Sequence, residues 1–270
     1  MPSLPAERKV VVFSAGGVRF ALRLSHVREI AAVAPGEGEV LSRGERVETA
    51  FVSTVLGLPA GPSGFALLTE GTPPVALRVD AVHGISDLSE VAFFQLPAPT
   101  PLPQPAPFAG VMVVKGEIAL ELAVSSLGFA PIVPADEHTA EPPPDLGLVP
   151  DRELRFARAG RVFGVPLSLL VQVLENPRLA PVPLTPHHHR GLLHHARALH
   201  AVIDVGVLYG DAPPFDVVEP GRPGSTGTPR TVLLIDAGGT GVGVVADRVL
   251  GLAEGDAEVL RPPWDALFGA

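Results

Sequence analysis

Apolar positions in this chain come in short runs broken by Gly, Pro and charged residues, and one such pattern occurs twice. Residues 10–30, VVVFSAGGVRFALRLSHVREI, return as residues 153–173, ELRFARAGRVFGVPLSLLVQV. In one register Phe13 matches Phe156, Gly17 matches Gly160, Phe20 matches Phe163, Leu24 matches Leu167, Ser25 matches Ser168 and Ile30 matches Val173. The chain therefore reads as an internal duplication. Each copy predicts a strand, a tight turn at Ala15-Gly16-Gly17 or Arg158-Ala159-Gly160, and a second strand, with Gly supplying the positive φ of a short hairpin loop. Ser25 and Ser168 stand where a helix N-cap is wanted. Val27 and Ile30, and then Leu170, Val173 and Leu174, are spaced for one face of a helix of two turns.

The remaining pattern predicts more strands and turns. Residues 38–45, GEVLSRGE, read as a short strand with a turn at Arg43-Gly44-Glu45. Segments 65–68 and 75–82 read as a hairpin ending in Val79-Asp80-Ala81-Val82, where Asp80 is expected to bond local backbone N–H groups. Residues 96–107, LPAPTPLPQPAP, have polyproline spacing and read as an exposed connection, an SH3-type ligand being the other reading. A hairpin of 111–114 and 118–123 around Lys115-Gly116 closes the first copy.

Residues 131–150 are acidic and Pro-rich, a semi-rigid linker. Residues 211–229 form a long Pro/Gly loop, followed by strands over 231–235 and 241–246 around Gly238-Gly239. The second copy is shorter after Asp247 than the first is after Asp80, so its closing hairpin is expected to be missing. Something must then cover the open sheet edge. The tail itself, with Trp264, Leu267 and Phe268, is the expected cap, the other candidates being the linker or the first copy, or another chain.

Composition narrows the classes. Gly 29 and Pro 31, beside 46% hydrophobic residues, suit many short strands rather than disorder. A net charge of -9 argues against nucleic acid and anionic membranes as partners. With Cys 0 there is no disulfide, thiolate nucleophile or Cys-based metal site. No apolar run approaches a membrane span and the N-terminus lacks a signal-type apolar region, so a cytoplasmic protein without membrane insertion is expected.

No nucleophile elbow, zinc-protease, Walker or kinase signature occurs, and no enzyme is expected. The Gly238-Gly239 pair joins two strands, the wrong context for a phosphate loop. His187, His188, His189, His194, His195 and His200 cluster in one stretch. Imidazole suits zinc, nickel or copper, but His187 to His189 read as surface loop with no interleaved carboxylate or Cys. A metal- or ligand-sensing β module is thus the alternative reading, with no cofactor expected otherwise.

The hairpin that opens each copy, Arg43-Gly44-Glu45, Leu56-Gly57-Leu58 and Val79-Asp80-Ala81-Val82 together resemble the CheW family, the coupling proteins of bacterial chemosensory arrays. In the second copy Ala201-Val202-Ile203-Asp204 is similar to the family's Pro-Val-Ile-Asp, whereas the first copy has Glu48 and Phe51 where the family usually has Pro and Asp. Aligning Gly191 with Gly38 sets Ala196 and Arg197 against Arg43 and Gly44, so the second copy has lost its Arg-Gly pair.

The resemblance implies a mainly β fold of tandem CheW-like modules, 1–130 and a divergent, shortened 151–270. Each would comprise two small SH3-like β-barrels with short helices. It further implies a scaffold that couples the cytoplasmic tip of a methyl-accepting chemoreceptor to a CheA-type histidine kinase. Arg43, Gly44 and Glu45 would be partner-binding residues, with Arg43 near the receptor-binding surface.

Overall fold

Short apolar runs that alternate with left-handed turn residues cannot propagate helices, and in the computed structural model they pair as strands. The structure describes residues 8–34, 40–42, 44–71, 73–127, 130–134, 152–209, 231–253, 259–264 and 267. By its contacts the chain divides into two compact units. The first holds Met1–Leu96, Leu102–Ala135 and Val182–Leu184, the second Pro97–Pro101, Asp136–Pro181 and Thr185–Ala270.

In the first unit the strands are β1 (Lys9–Ala15), β2 (Val18–Arg23), β3 (Val27–Ala32), β4 (Val40–Ser42), β5 (Glu45–Phe51), β6 (Phe65–Thr69) and β7 (Val75–Val79). They continue as β8 (Ala81–Asp87), β9 (Val91–Phe94), β10 (Phe108–Val114) and β11 (Glu117–Leu122), with one helical turn, α1 (Val52–Val55), after β5. A six-stranded sheet runs β8-β1-β2-β11-β10-β9 and a five-stranded sheet β3-β6-β7-β5-β4. Phe13 and Phe20 stack at 5.8 Å in the core, and Phe108 follows at 6.3 Å from Phe20.

The second unit holds β12 (Glu153–Arg158), β13 (Arg161–Pro166), β14 (Leu170–Glu175), β15 (His189–His195) and β16 (Ala198–Ile203). After them come α2 (Val205–Leu208), β17 (Thr231–Ala237), β18 (Thr240–Ala246) and β19 (Arg248–Ala253). Its sheets run β13-β12-β19 and β14-β17-β18-β16-β15. The fold is mainly β, in curled half-barrel sheets.

Bulges and ring contacts recur in the two units. β1 slips register against β8 between Val12 and Phe13, and β12 slips against β19 between Arg155 and Phe156. Phe156 and Phe163 stack at 5.5 Å, as Phe13 and Phe20 do. The five-stranded sheets share one order, each with a parallel pair at its centre, β5 on β7 and β16 on β18.

The helix expected after the second strand is not there. A single 3-10 turn, Leu24–His26, leads into β3, and the stretch 170–175 is β14. Ser25 lies inside the turn, whose N-cap position is Arg23 with no side-chain cap. The apolar spacing was too short to separate the two periods, and cross-strand pairing with β6 and β17 selects the extended form.

Among the described residues no hairpin follows β19, and the tail stands against β13 where β11 stands against β2 in the first unit. Leu120 of β11 pairs in parallel with Phe20, and Leu260 makes a parallel bridge to Phe163. Trp264 is 3% exposed, its Nε1 donates to the Gly164 carbonyl at 3.1 Å, and its ring lies 6.5 Å from that of Phe156. Leu267 packs against the same cluster, while Phe268 lies outside the described residues. So do most of the 131–150 linker and the loop at 211–229.

Candidate functional site

An aspartate is locked beneath the first hairpin turn in each unit. Asp80, between β7 and β8, accepts from Gly16 N at 2.7 Å and Ser63 N at 3.2 Å, and its own N–H donates to the Ser14 carbonyl at 2.8 Å. The expectation of local bonding is corrected: the partners lie 64 and 17 residues away. Asp247, between β18 and β19, accepts from Ala159 N at 2.9 Å and donates its N–H to the Ala157 carbonyl at 2.9 Å. Both aspartates sit where the chain leaves one sheet for the other, and their bonds to the hairpin turn fix that crossing.

The units part company in their buried cations. Ala50 pairs with Leu77 and Ile203 with Val244, so Phe51 corresponds to Asp204 and Arg78 to Val245. In the first unit Arg78 is 1% exposed, donates through Nη2 to the Ser63 carbonyl at 2.7 Å, and lies 5.4 Å from the Phe51 ring centre. In the second, Arg158 donates to both oxygens of Asp204, at 2.7 and 2.5 Å, and to Asp247 at 2.5 Å. Asp204 also caps α2 through Gly206 N at 3.1 Å.

Burial opposes the Arg158 charge, but the hydrogen bonds and charges of Asp204, then Asp247, outweigh it and raise the guanidinium above its ordinary value. Arg190 is lowered by burial, with Asp204 opposing and Arg158 adding to the fall. The motif residues thus serve as internal fastening. Sequence reading took Arg158 only as part of the hairpin turn, since its partners lie 46 and 89 residues away.

The turn expected to bind partners joins β4 to β5. Arg43 lies outside the described residues, and of the Glu45 side chain nothing is described. Gly44 is exposed at φ 85° with open space around it, and Leu41 beside the turn is 65% exposed. Ser42 Oγ donates to Glu29 Oε2 at 3.2 Å, tying β4 to β3 at the far edge of the same sheet.

The second unit makes the corresponding turn without Gly, with Ala196 at φ 48° and Arg197 at φ 65°. His195 Nε2 lies 2.9 Å from Gln172 Oε1, the counterpart of the Ser42–Glu29 tie.

The histidines are dispersed. His187 is exposed, whereas His189, expected on a surface loop, opens β15 and is 7% exposed. Burial, then the neighbouring His188, pushes His189 down to about 3. His194 and His195 are neighbours on β15 and face opposite sides. His200 turns Nδ1 to the Gly241 carbonyl at 3.0 Å. Among the described residues no three His, Asp or Glu side chains are placed to hold a metal ion, and no helix is long and apolar enough to cross a membrane.

These strand orders were compared with known proteins. The scaffolding protein TtCheW from Thermoanaerobacter tengcongensis is similar at 18% identity over 43% of this chain and 88% of that one, with a TM-score of 0.35. The comparison with curated proteins returned no match. The model of the CheW-like domain family matches residues 153–269, which span β12 to β19 and the tail carrying Trp264. Residues 153–269 are thus the part of the chain that matches a CheW-like domain.

Proposed function

We propose that the protein is a chemosensory adaptor that couples chemoreceptors to a CheA-type histidine kinase through protein–protein contacts. The family match over residues 153–269 carries this reading, since the CheW-like family is one of non-enzymatic scaffolds. The repeated hairpin, bulge and aspartate lock support reading residues 1–130 as a second module of the same kind, joined through 131–150. Such an adaptor acts in the cytoplasm, where receptor tips and kinase meet.

The turn Arg43-Gly44-Glu45 is the receptor-facing element of this reading. Gly44 leaves it sterically open and the exposed Leu41 adds apolar surface at its side. The test is direct binding of the purified chain to a receptor cytoplasmic hairpin and to the kinase's regulatory domain. Both should bind, and Arg43→Ala should weaken the receptor complex while leaving the melting temperature unchanged. Absence of binding to either partner would overturn the adaptor role. Unchanged receptor affinity in the variant would remove Arg43 from the surface.

A further inference from the structure

β14 is an outer strand of its sheet, so one row of its N–H and C=O groups faces away from β17. Its residues read Leu170-Val171-Gln172-Val173-Leu174, the same in both directions about Gln172. Val171 is 60% exposed and Val173 38%. No charged side chain falls within these five positions. At the matching bulge of the first unit, β3 carries the exposed Arg28 and Glu29 where β14 has Val171 and Gln172. Charge on an edge strand is a common guard against pairing with another chain, and β14 lacks it.

We propose that β14 is a self-association surface, on which a second copy of this chain pairs its own β14 antiparallel about a twofold axis at Gln172. A twofold interface requires that residue i meet residue j while j meets i. The palindrome meets that condition side chain by side chain. Val171 falls opposite Val173, Leu170 opposite Leu174, and Gln172 opposite Gln172. Glu175 of one copy falls opposite Leu169 of the other, so no like charges are juxtaposed in a chain whose net charge is -9. Gln172 now bonds His195, and the pairing must rearrange that tie. A strand of this length buries an area at the low end of the interface range, which suits a weak, concentration-dependent dimer.

The chain has Cys 0, so single cysteines report the register cleanly. Under mild oxidation of the full chain, Gln172→Cys should form a disulfide-linked dimer, because directly opposed residues lie about 4.5–5.5 Å apart at Cα. Glu175→Cys should not, its two copies being about 20 Å apart in that register. Sedimentation from about 1 to about 200 µM should show a dimer for the native chain. Val171→Lys should abolish it without lowering the melting temperature. A native chain that stays monomeric throughout, or cross-linking as efficient at 175 as at 172, overturns the proposal. In the monomeric case, loss of kinase binding by Val171→Lys would assign the edge to that partner instead. Receptor and kinase binding by the native chain is scored separately, so this proposal and the adaptor role can fail independently.

Discussion

Glu153 and Arg261 lie 108 positions apart and meet in a fork: Arg261 donates from Nε and Nη2 to the two carboxylate oxygens, at 2.9 and 3.1 Å. Glu153 is fully buried, Arg261 nearly so, and Arg155 donates to the same carboxylate at 3.0 Å. Room for this comes from Gly164, where a Cβ would stand 2.5 Å from Glu153 Oε2. The pair fastens the tail to the first strand of the CheW-like domain.

Removing one partner of a buried pair strands the other, so Arg261→Leu should cost about 3 kcal/mol, the low end of the usual range because Arg155 remains. Urea unfolding followed by the fluorescence of the one Trp reads it. Glu153→Leu combined with Arg261→Leu should recover part of the loss, since no buried charge is then left over. A single-variant loss below about 1 kcal/mol would mean that solvent already reaches the pair.

Trp264 gives a second prediction. It fills the core beside Phe156 and Phe163, and Trp264→Ala should destabilise the second unit by about 3–5 kcal/mol. Trp264→Phe should recover most of the packing yet leave the Gly164 carbonyl without the indole donor, for a smaller loss of about 1 kcal/mol. Deleting 262–270 should uncover the apolar core that Trp264 and Leu267 pack against and promote association. A deletion variant that remains as stable as the native chain would contradict this role of the tail.

The two hairpins were legible because their signals are local: paired Phe and Gly residues fix a hairpin and its stacking from a few neighbouring positions. Trp264 was legible as a cap because a large apolar residue beyond the last strand must be covered. The β3 and β14 strands were not, since Val27 and Ile30, like Leu170, Val173 and Leu174, suit either period over so few residues. The fastening charges escaped for a different reason. Glu153 and Arg158 look like surface residues in a sequence, and only partners dozens of positions away make them interior. Asp80 shows the intermediate case, where the strand-end acceptor role was readable but its distant donors were not.

Gly16 and Asp80 yield a third prediction. Gly16 has φ 56°, and an added Cβ would stand 2.5 Å from Leu58 Cβ and 2.9 Å from the Pro59 carbonyl oxygen. Gly16→Ala therefore forces backbone to move, and a loss of about 1–3 kcal/mol is expected in thermal unfolding. Asp80→Ala leaves the Gly16 and Ser63 N–H groups without their acceptor, for a similar loss. Because both changes break one lock, the double variant should lose less than the two single losses added. Full additivity would show that turn and aspartate act separately.

His189 supplies the pH dependence. Its folded value, about 3, lies below the ordinary 6.5, so the unfolded chain takes up a proton first as pH falls. Stability is therefore complete above about pH 6.5 and is lost between there and about pH 3, at up to about 1.4 kcal/mol per pH unit. Carboxylates titrate in the lower part of that window, so the informative quantity is the difference between the native chain and His189→Gln. The variant should be less stable near pH 8, where neutral His189 packs well, and the gap should close as pH is lowered. Chemical denaturation at pH 8, 6.5, 5 and 4 measures it. Parallel pH profiles for the two proteins would mean that His189 is protonated in the folded chain or reaches solvent readily, contrary to its burial.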